Sequence, residues 1–189
     1  MSTYLVYKPF NMLSQFTREA PHHVTLADLA FNFPKDVYPV GRLDADSEGL
    51  LLLTNDKQLN AKLLHPKNKQ PKTYWVQVEG VPKEVDLAPL RNGIAIKIKK
   101  KIHHTASAQV SLLENTPSLP ARNPPIRVRK SIPDTWVSIT ITEGKNRQVR
   151  RMFAAIGFPV LRLVRVEIAG YTYGKGKLTK MESGTVLAL

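Results

Sequence analysis

Gly41-Arg42-Leu43-Asp44-Ala45-Asp46-Ser47-Glu48-Gly49-Leu50-Leu51-Leu52-Leu53-Thr54 joins a polar, acid-rich turn to an unbroken apolar run. Four consecutive leucines after a glycine predict a short strand over 49–54 that is buried on both faces. Asn55 or Asp56 suits the N-cap of a helix that follows through about Leu64, with Leu59, Leu63 and Leu64 on one face and Pro66 beyond its end. The turn ahead of the strand sets one acid, Asp44, beside Arg42 and Leu43. Two readings of Asp44 are open at this point: a polar turn residue, or a reactive carboxylate held over a polyanionic substrate.

Outward from this segment, strands dominate. Thr3 to Lys8 reads as a first strand stopped by Pro9, and Thr25 to Leu29 as a short helix with Thr25 as N-cap. Lys72 to Glu79 alternates, with Tyr74, Val76 and Val78 on one side and Thr73, Trp75, Gln77 and Glu79 on the other. Lys83 to Arg91 reads as a helix, with Gly93 suited to the left-handed C-terminal position. Ile94, Ile96 and Ile98 alternate with Ala95, Lys97 and Lys99, a strand with one basic face. Ala106 to Leu113, Trp136 to Thr142, Val160 to Ile168 and Gly184 to Leu189 are further strands. Lys145 to Ile156 is the clearest helix, because Val149, Met152, Phe153 and Ile156 keep the i, i+3, i+4, i+7 spacing. Three or four helices without regular strand–helix alternation predict an α+β fold with a largely antiparallel sheet. The stretch from Asn115 to Pro133 reads as a long loop carrying five prolines and the charges Arg122, Arg127, Arg129 and Lys130; loops this long are usually functional or disordered.

The 189 residues suffice for one large domain or two small lobes sharing a sheet. Lys and Arg number 28 against 15 Asp and Glu, a net charge of +13. Such a balance points first to nucleic acid, where phosphate neutralisation drives binding. An anionic membrane would need a basic amphipathic surface helix, and no strong one is present. The apolar runs fall far short of the ~20 residues that span a bilayer, and no signal peptide is seen. With no cysteine, disulfides, thiolate metal sites and a cysteine nucleophile are excluded; this fits a cytoplasmic protein.

On the wheel of the Lys145 helix, Arg147 and Arg151 lie opposite the apolar face and Gln148 and Arg150 fall on its flanks. This basic face is either solvated or bound to phosphate near the helix start. Asp44, Asp46 and Glu48 form an i, i+2, i+4 trio that would share one face of an extended segment; a Mg²⁺ site and a set of polar turn residues are both compatible with it. The five histidines (His22, His23, His65, His103, His104) lack zinc-type spacing. Lys67, Lys69 and Lys72, and the run Lys97, Lys99, Lys100 and Lys101, fit either RNA-contacting edges or protective edge lysines.

The stretch from Val40 to Asp56 resembles the motif that carries the catalytic aspartate in the RsuA family of pseudouridine synthases. Lys72 to Gly80 resembles that family's strand motif with an active-site tyrosine, and Glu143 to Phe153 its third motif. Lys8-Pro9 matches its lysine-proline opening. The four occur in family order and span residues 8 to 165. Arg122 to Arg127, Lys130 to Pro133 and Gly157 to Arg165 further resemble the RluE branch, which modifies 23S ribosomal RNA. The first motif begins at Tyr4, which leaves no room for the N-terminal S4 RNA-binding domain of many relatives.

The resemblance implies a single pseudouridine synthase catalytic domain over 1–189, with two sub-lobes around a central cleft. It implies a monomer acting on 23S ribosomal RNA, free or in an assembling subunit, with no cofactor and no metal. By the same resemblance Asp44 is the nucleophile, Tyr74 a general base or a ring packed on the flipped base, and Arg150 the cation that pairs with the catalytic carboxylate. Arg42 fills the vacated base stack, Gln148 contacts substrate or its surroundings, and Lys145, Arg147 and Arg151 bind phosphate. The 115–133 loop is expected to touch RNA near the target.

Overall fold

The computed structural model describes residues 1–127, 131–179 and 181–189. Arg129 and Lys130, two of the charges assigned to the long loop, lie outside the described residues. In chain order the strands are β1 (Thr3–Lys8), β2 (Met12–Leu13), β3 (Val24–Thr25), β4 (Tyr38–Pro39), β5 (Glu48–Thr54), β6 (Lys72–Glu79) and β7 (Ala95–Ile98). They continue as β8 (Lys101–His104), β9 (Gln109–Leu112), β10 (Asp134–Ile141), β11 (Val160–Ile168), β12 (Tyr171–Thr172) and β13 (Val186–Ala188). The helices are α1 (Lys57–Leu64), α2 (Glu84–Asn92) and α3 (Gln148–Ala155).

The main sheet runs β13-β1-β5-β11-β6-β10-β9, with β12 added to β11 and β4 to β5. Its pairs are antiparallel except β11 with β5, a parallel seam of two residue pairs, Val164 with Glu48 and Arg165 with Gly49. The fold is thus the α+β arrangement with a largely antiparallel sheet that the strand pattern predicts. β2 pairs with β3, and β7 with β8, as separate two-stranded ribbons.

β5 explains its own sequence. It lies between β1 and β11, and all seven of its residues are buried. Leu51 and Leu53 enter a core with Val6, Tyr74, Val76, Val78 and Phe153, whereas Leu50 and Leu52 enter a second with Leu5, Tyr7, Val164 and Val166. Each buried leucine contributes roughly 2 kcal/mol, so the four-leucine run holds the two faces of the sheet together. β6 shows the complementary pattern. Its alternate residues Tyr74, Val76 and Val78 are buried in the first core, which they share with Val149, Met152 and Phe153 of α3.

Several sequence expectations shift. Asp56, not Asn55, caps α1, accepting from the Gln58 and Leu59 amides at 2.9 and 3.0 Å. The leucine face of α1 is not buried, and Leu64 is 52 % exposed. α3 begins three residues later than its spacing suggests, because Arg147 adopts a left-handed conformation (φ 51°, ψ 33°). Gly93 has the positive φ its position suggests, 91°, but its ψ of 138° lies outside the left-handed helical region. Residues 25–29 form only one 3₁₀ turn, Leu26–Asp28. The 106–113 strand shortens to β9, and the C-terminal one to β13. Between β9 and β10 no described residue is in a helix or strand. Arg122 folds back there over the Phe10 ring at 3.7 Å, and the Pro120 carbonyl accepts from Arg162 at 2.7 Å. Among the described residues no helix is long and apolar enough to cross a membrane.

Candidate active site

Loop 40–47, between β4 and β5, forms one wall of a pocket of about 950 Å³. Tyr74 from β6, Arg165 from β11 and residues 141–149, at the end of β10 and the start of α3, line it as well, with further residues from the end of α1 and the segment that follows it. Asp44 lies in this wall, half-buried. Its neighbours are all fastened. Ser14 Oγ accepts from the Leu43 amide at 3.0 Å and donates to the Leu43 carbonyl at 2.8 Å. The Ala45 carbonyl accepts from the Asn11 amide at 2.7 Å and from Lys8 Nζ at 3.2 Å. The Asp46 carbonyl accepts from Arg150 Nη2 at 2.7 Å. The Asp44 carbonyl closes a turn by accepting from the Ser47 amide at 3.0 Å, whereas its carboxylate takes no hydrogen bond or ion pair among the described residues. Asp44 is therefore a turn residue by its backbone and an unengaged acid by its side chain. Lys8, Arg147 and Arg150 surround it closely enough to feel its charge.

The acidic trio does not share a face. Arg147 grips Asp46 with two hydrogen bonds, Nη1 to Oδ1 at 2.9 Å and Nη2 to Oδ2 at 2.7 Å. Burial alone would raise the Asp46 carboxyl; the Arg147 hydrogen bonds and the charges of Arg150 and Arg147 overcome it and hold the group below the usual carboxylate range. Glu48, 2 % exposed, takes two bonds from Arg162 at 2.8 and 2.7 Å. Among the described residues no three His, Cys, Asp or Glu side chains are arranged to hold a metal ion.

Arg42, Asp44, Tyr74, Lys145, Arg147 and Gln148 thus line one pocket, while Arg150 and Arg151 stand outside it. Arg42 sits exposed at the mouth, donating to Gln15 Oε1 at 2.8 Å. The expected pairing of Arg150 with Asp44 is replaced by one with Asp46: besides the carbonyl contact, Arg150 Nε lies 3.3 Å from Asp46 Oδ2. The reason is the late start of α3, which sets Arg150 in its first turn, under the loop rather than facing the pocket. Arg147 is turned from the solvated face toward Asp46 by its left-handed backbone. Gln148 is 3 % exposed, and its amide is used inside the protein. Its Nε2 donates to Glu143 at 2.6 Å, and its Oε1 accepts from the Lys145 amide at 2.9 Å. Arg151 donates to the Lys97 carbonyl at 2.7 Å and to the Asn146 carbonyl at 3.1 Å, which ties α3 to the β7–β8 hairpin.

Lys8 gives the site more than its place in a motif suggests. Fully buried, its Nζ donates to the carbonyls of Pro9, Met12 and Ala45 at 2.8, 2.7 and 3.2 Å. A charged residue closing the otherwise apolar run of β1 is the sequence signal for it. Burial pushes its ammonium from 10.5 down to about 7, against the pull of Glu48, Asp46 and Asp44. Between those values the unfolded chain holds a proton that the folded chain has released, so this group's contribution to stability rises with pH through that window. Below pH 7 both states are protonated and the cost of burying the charge is present in full. Wild type should therefore gain about 2 kcal/mol relative to Lys8→Met between pH 7 and 9 in paired urea titrations. A constant difference across the window would refute the assignment.

A family model described as RNA pseudouridylate synthase matches residues 2–155. The chain is 54 % identical over 168 residues to ribosomal large subunit pseudouridine synthase E of Xanthomonas axonopodis, covering 88 % of this chain and 85 % of that one. It is 56 % identical over 165 residues to the protein of the same name from Vibrio vulnificus, covering 87 % and 67 %. Ribosomal large subunit pseudouridine synthase B of Bacillus subtilis is 40 % identical over 166 residues, covering 88 % and 61 %. A crystal structure of a pseudouridylate synthase superposes with a TM-score of 0.78 at 27 % identity, covering all of this chain and 70 % of that one. With a matched model over most of its length, relatives above half identity and a shared fold, this chain belongs to the RNA pseudouridylate synthase family.

Proposed function

We propose that this protein isomerises uridine to pseudouridine in the 23S RNA of the large ribosomal subunit, with Asp44 as the nucleophile. The observation that carries the proposal is the unengaged Asp44 carboxylate, set in a pocket with Tyr74 while every neighbouring loop residue is tied down. The names of the relatives, ribosomal large subunit pseudouridine synthases, support the choice of RNA.

The reaction breaks the N1–C1′ bond, turns the base and rejoins it through C5. It changes neither redox state nor composition, so it consumes no cofactor. A carboxylate near C1′ either adds to the sugar carbon or takes the C2′ proton. In either role the carboxylate acts in its ionised form, with the Arg147 and Arg150 guanidiniums close enough to interact with its charge. Arg150 acts on Asp44 through the loop it holds at Asp46. Tyr74 packs beside the ring, and Arg42, at the mouth, takes the stacking place left by the extruded nucleotide. The protein works as a monomer in the cytoplasm.

Unmodified 23S RNA incubated with the purified protein in EDTA should gain one pseudouridine in a chemical map. A folded protein that binds this RNA and yields none would favour the second reading, a non-catalytic ribosomal RNA binder.

RNA docking relies on basic surface around the pocket. Lys97, Lys99, Lys100 and Lys101 project from the β7–β8 hairpin, all exposed, beside an Ile102 that is 63 % exposed. The hairpin is anchored toward the site through Arg151 and through His103, which lies 3.0 Å from Glu143. Replacing the four lysines with serine should weaken binding and reduce the salt slope of log K by roughly 2 to 3. Turnover at saturating RNA should persist. An unchanged slope would make them edge-protecting lysines instead.

A further inference from the structure

A row of residues crosses the main sheet beneath the pocket. Lys8 pairs with Gly49, Gly49 with Arg165, and Arg165 with Tyr74. Residues directly opposite one another in a sheet project to the same face, so Arg165 and Tyr74 stand side by side. Gly49 contributes no side chain to the row and leaves Arg165 room to bend across β5, where its Nε donates to the Leu50 carbonyl at 2.7 Å.

Arg165 is 3 % exposed, lines the same pocket as Asp44 and Tyr74, and has a buried Nη2 without a hydrogen-bond partner. The other buried or half-buried arginines around the 40–48 segment are answered by carboxylates, Arg147 and Arg150 by Asp46 and Arg162 by Glu48, whereas the exposed Arg42 at the pocket is answered by the Gln15 amide. Among the described residues Arg165 has no carboxylate partner, and the amino groups of Lys8 and Lys72 stand near it. A guanidinium stays charged and has five N–H donors. Buried without an anion, it is costly, and the reaction supplies the missing negative charge.

We propose that Arg165 is a catalytic residue that donates to a carbonyl oxygen of the uracil ring and stabilises the negative charge the ring carries after glycosidic cleavage. The proposal rests on the uridine-isomerising reading above. When N1–C1′ breaks, the electron pair leaves with the base, and the resulting anion spreads its charge onto O2 and O4. Asp44 meanwhile bonds to C1′ or holds the C2′ proton. The ring turns, and C5 bonds to C1′ as the carboxylate leaves C1′ with its bonding pair, or as it returns the proton to C2′; the C5 proton then passes to N1. Arg165 neither gains nor loses a proton. Fixed donors aimed at a developing oxyanion are typically worth 10²–10³ in rate. A backbone phosphate would remain at the mouth, near Arg42 and Lys145, rather than reach the floor.

The test compares single-turnover cleavage of the N1–C1′ bond in RNA carrying uridine or 5-fluorouridine at the target. Fluorine makes the departing ring more acidic and less dependent on outside stabilisation. Arg165→Met should lose about 100-fold with uridine and at least tenfold less with 5-fluorouridine, with RNA affinity unchanged. Equal losses with both rings would reduce Arg165 to a structural residue and overturn the proposal, as would no loss. Arg165→Lys carries the same comparison if the methionine variant fails to fold. Wild type provides a check free of folding effects. Sulfur accepts hydrogen bonds poorly yet makes the ring a better leaving group, so 2-thiouridine or 4-thiouridine should slow cleavage at one position. No slowing at either would also overturn the proposal. A wild type inactive on uridine RNA would instead reject the underlying function.

Discussion

Asp44→Ala is expected to abolish pseudouridine formation while leaving RNA affinity and thermal stability close to wild type. The two halves of this expectation have separate physical sources. Loop 40–47 is held by Ser14, Asn11, Lys8 and Arg150 acting on Leu43, Ala45 and Asp46, and the Asp44 carboxylate holds nothing. Truncating it removes no structural contact and leaves the basic surface intact. The chemistry has no substitute, because Asp46 and Glu48 are committed to arginines. Losing a nucleophile typically costs on the order of 10⁴–10⁶ in rate. Single-turnover assays beside filter binding check both halves, and turnover above background would rule out the nucleophile role.

Gly49→Ala should be the most destabilising small substitution in the site. Gly49 has φ +98°, and an added Cβ would sit 2.3 Å from the Arg165 carbonyl oxygen and 2.8 Å from its amide nitrogen. Both obstacles are backbone, so relief requires opening the parallel seam between β5 and β11. Strain and clash together should cost on the order of 3 kcal/mol or more. Gly157→Ala is the natural comparator: φ is +86° there too, but nothing lies within 4 Å of the new carbon, so only backbone strain of about 1 kcal/mol is expected. Urea midpoints for the two variants should separate clearly at similar m-values. Equal shifts would mean that the seam yields easily.

The strands were legible wherever a single local pattern governed them. β6 follows its own alternation, and β5 declares its two-sided burial through four leucines. The start of α3 was not, because apolar spacing says nothing of the left-handed turn at Arg147 that delays the helix. The Arg147 and Arg150 pairing with Asp46 was also hidden. It joins residues more than a hundred positions apart, and nothing local to either segment tells which of two nearby acids is gripped. The motif resemblance singled out Asp44, Tyr74 and the arginine-rich helix start. It did not show that Asp46 is the acid that the arginines grip, and Lys8 and Arg165 entered only as members of motifs. α1 misled for a different reason: amphipathic spacing describes a face, and only the tertiary fold decides whether anything covers it.

The narrow parallel seam between β5 and β11 also governs when the molecule becomes competent. It brings Arg165 onto Leu50, 115 residues apart in the chain, and only two residue pairs join the strands there. Closing so long a loop for so little pairing gives slow, late formation in folding. The antiparallel β1–β5 and β6–β10 pairs close shorter loops with longer registers, and are free to assemble earlier. The pocket draws Asp44 from one side of the seam and Tyr74 from the other. A growing chain would thus present basic, RNA-attracting surface before it holds an assembled active site, so that binding precedes catalysis in the life of each molecule.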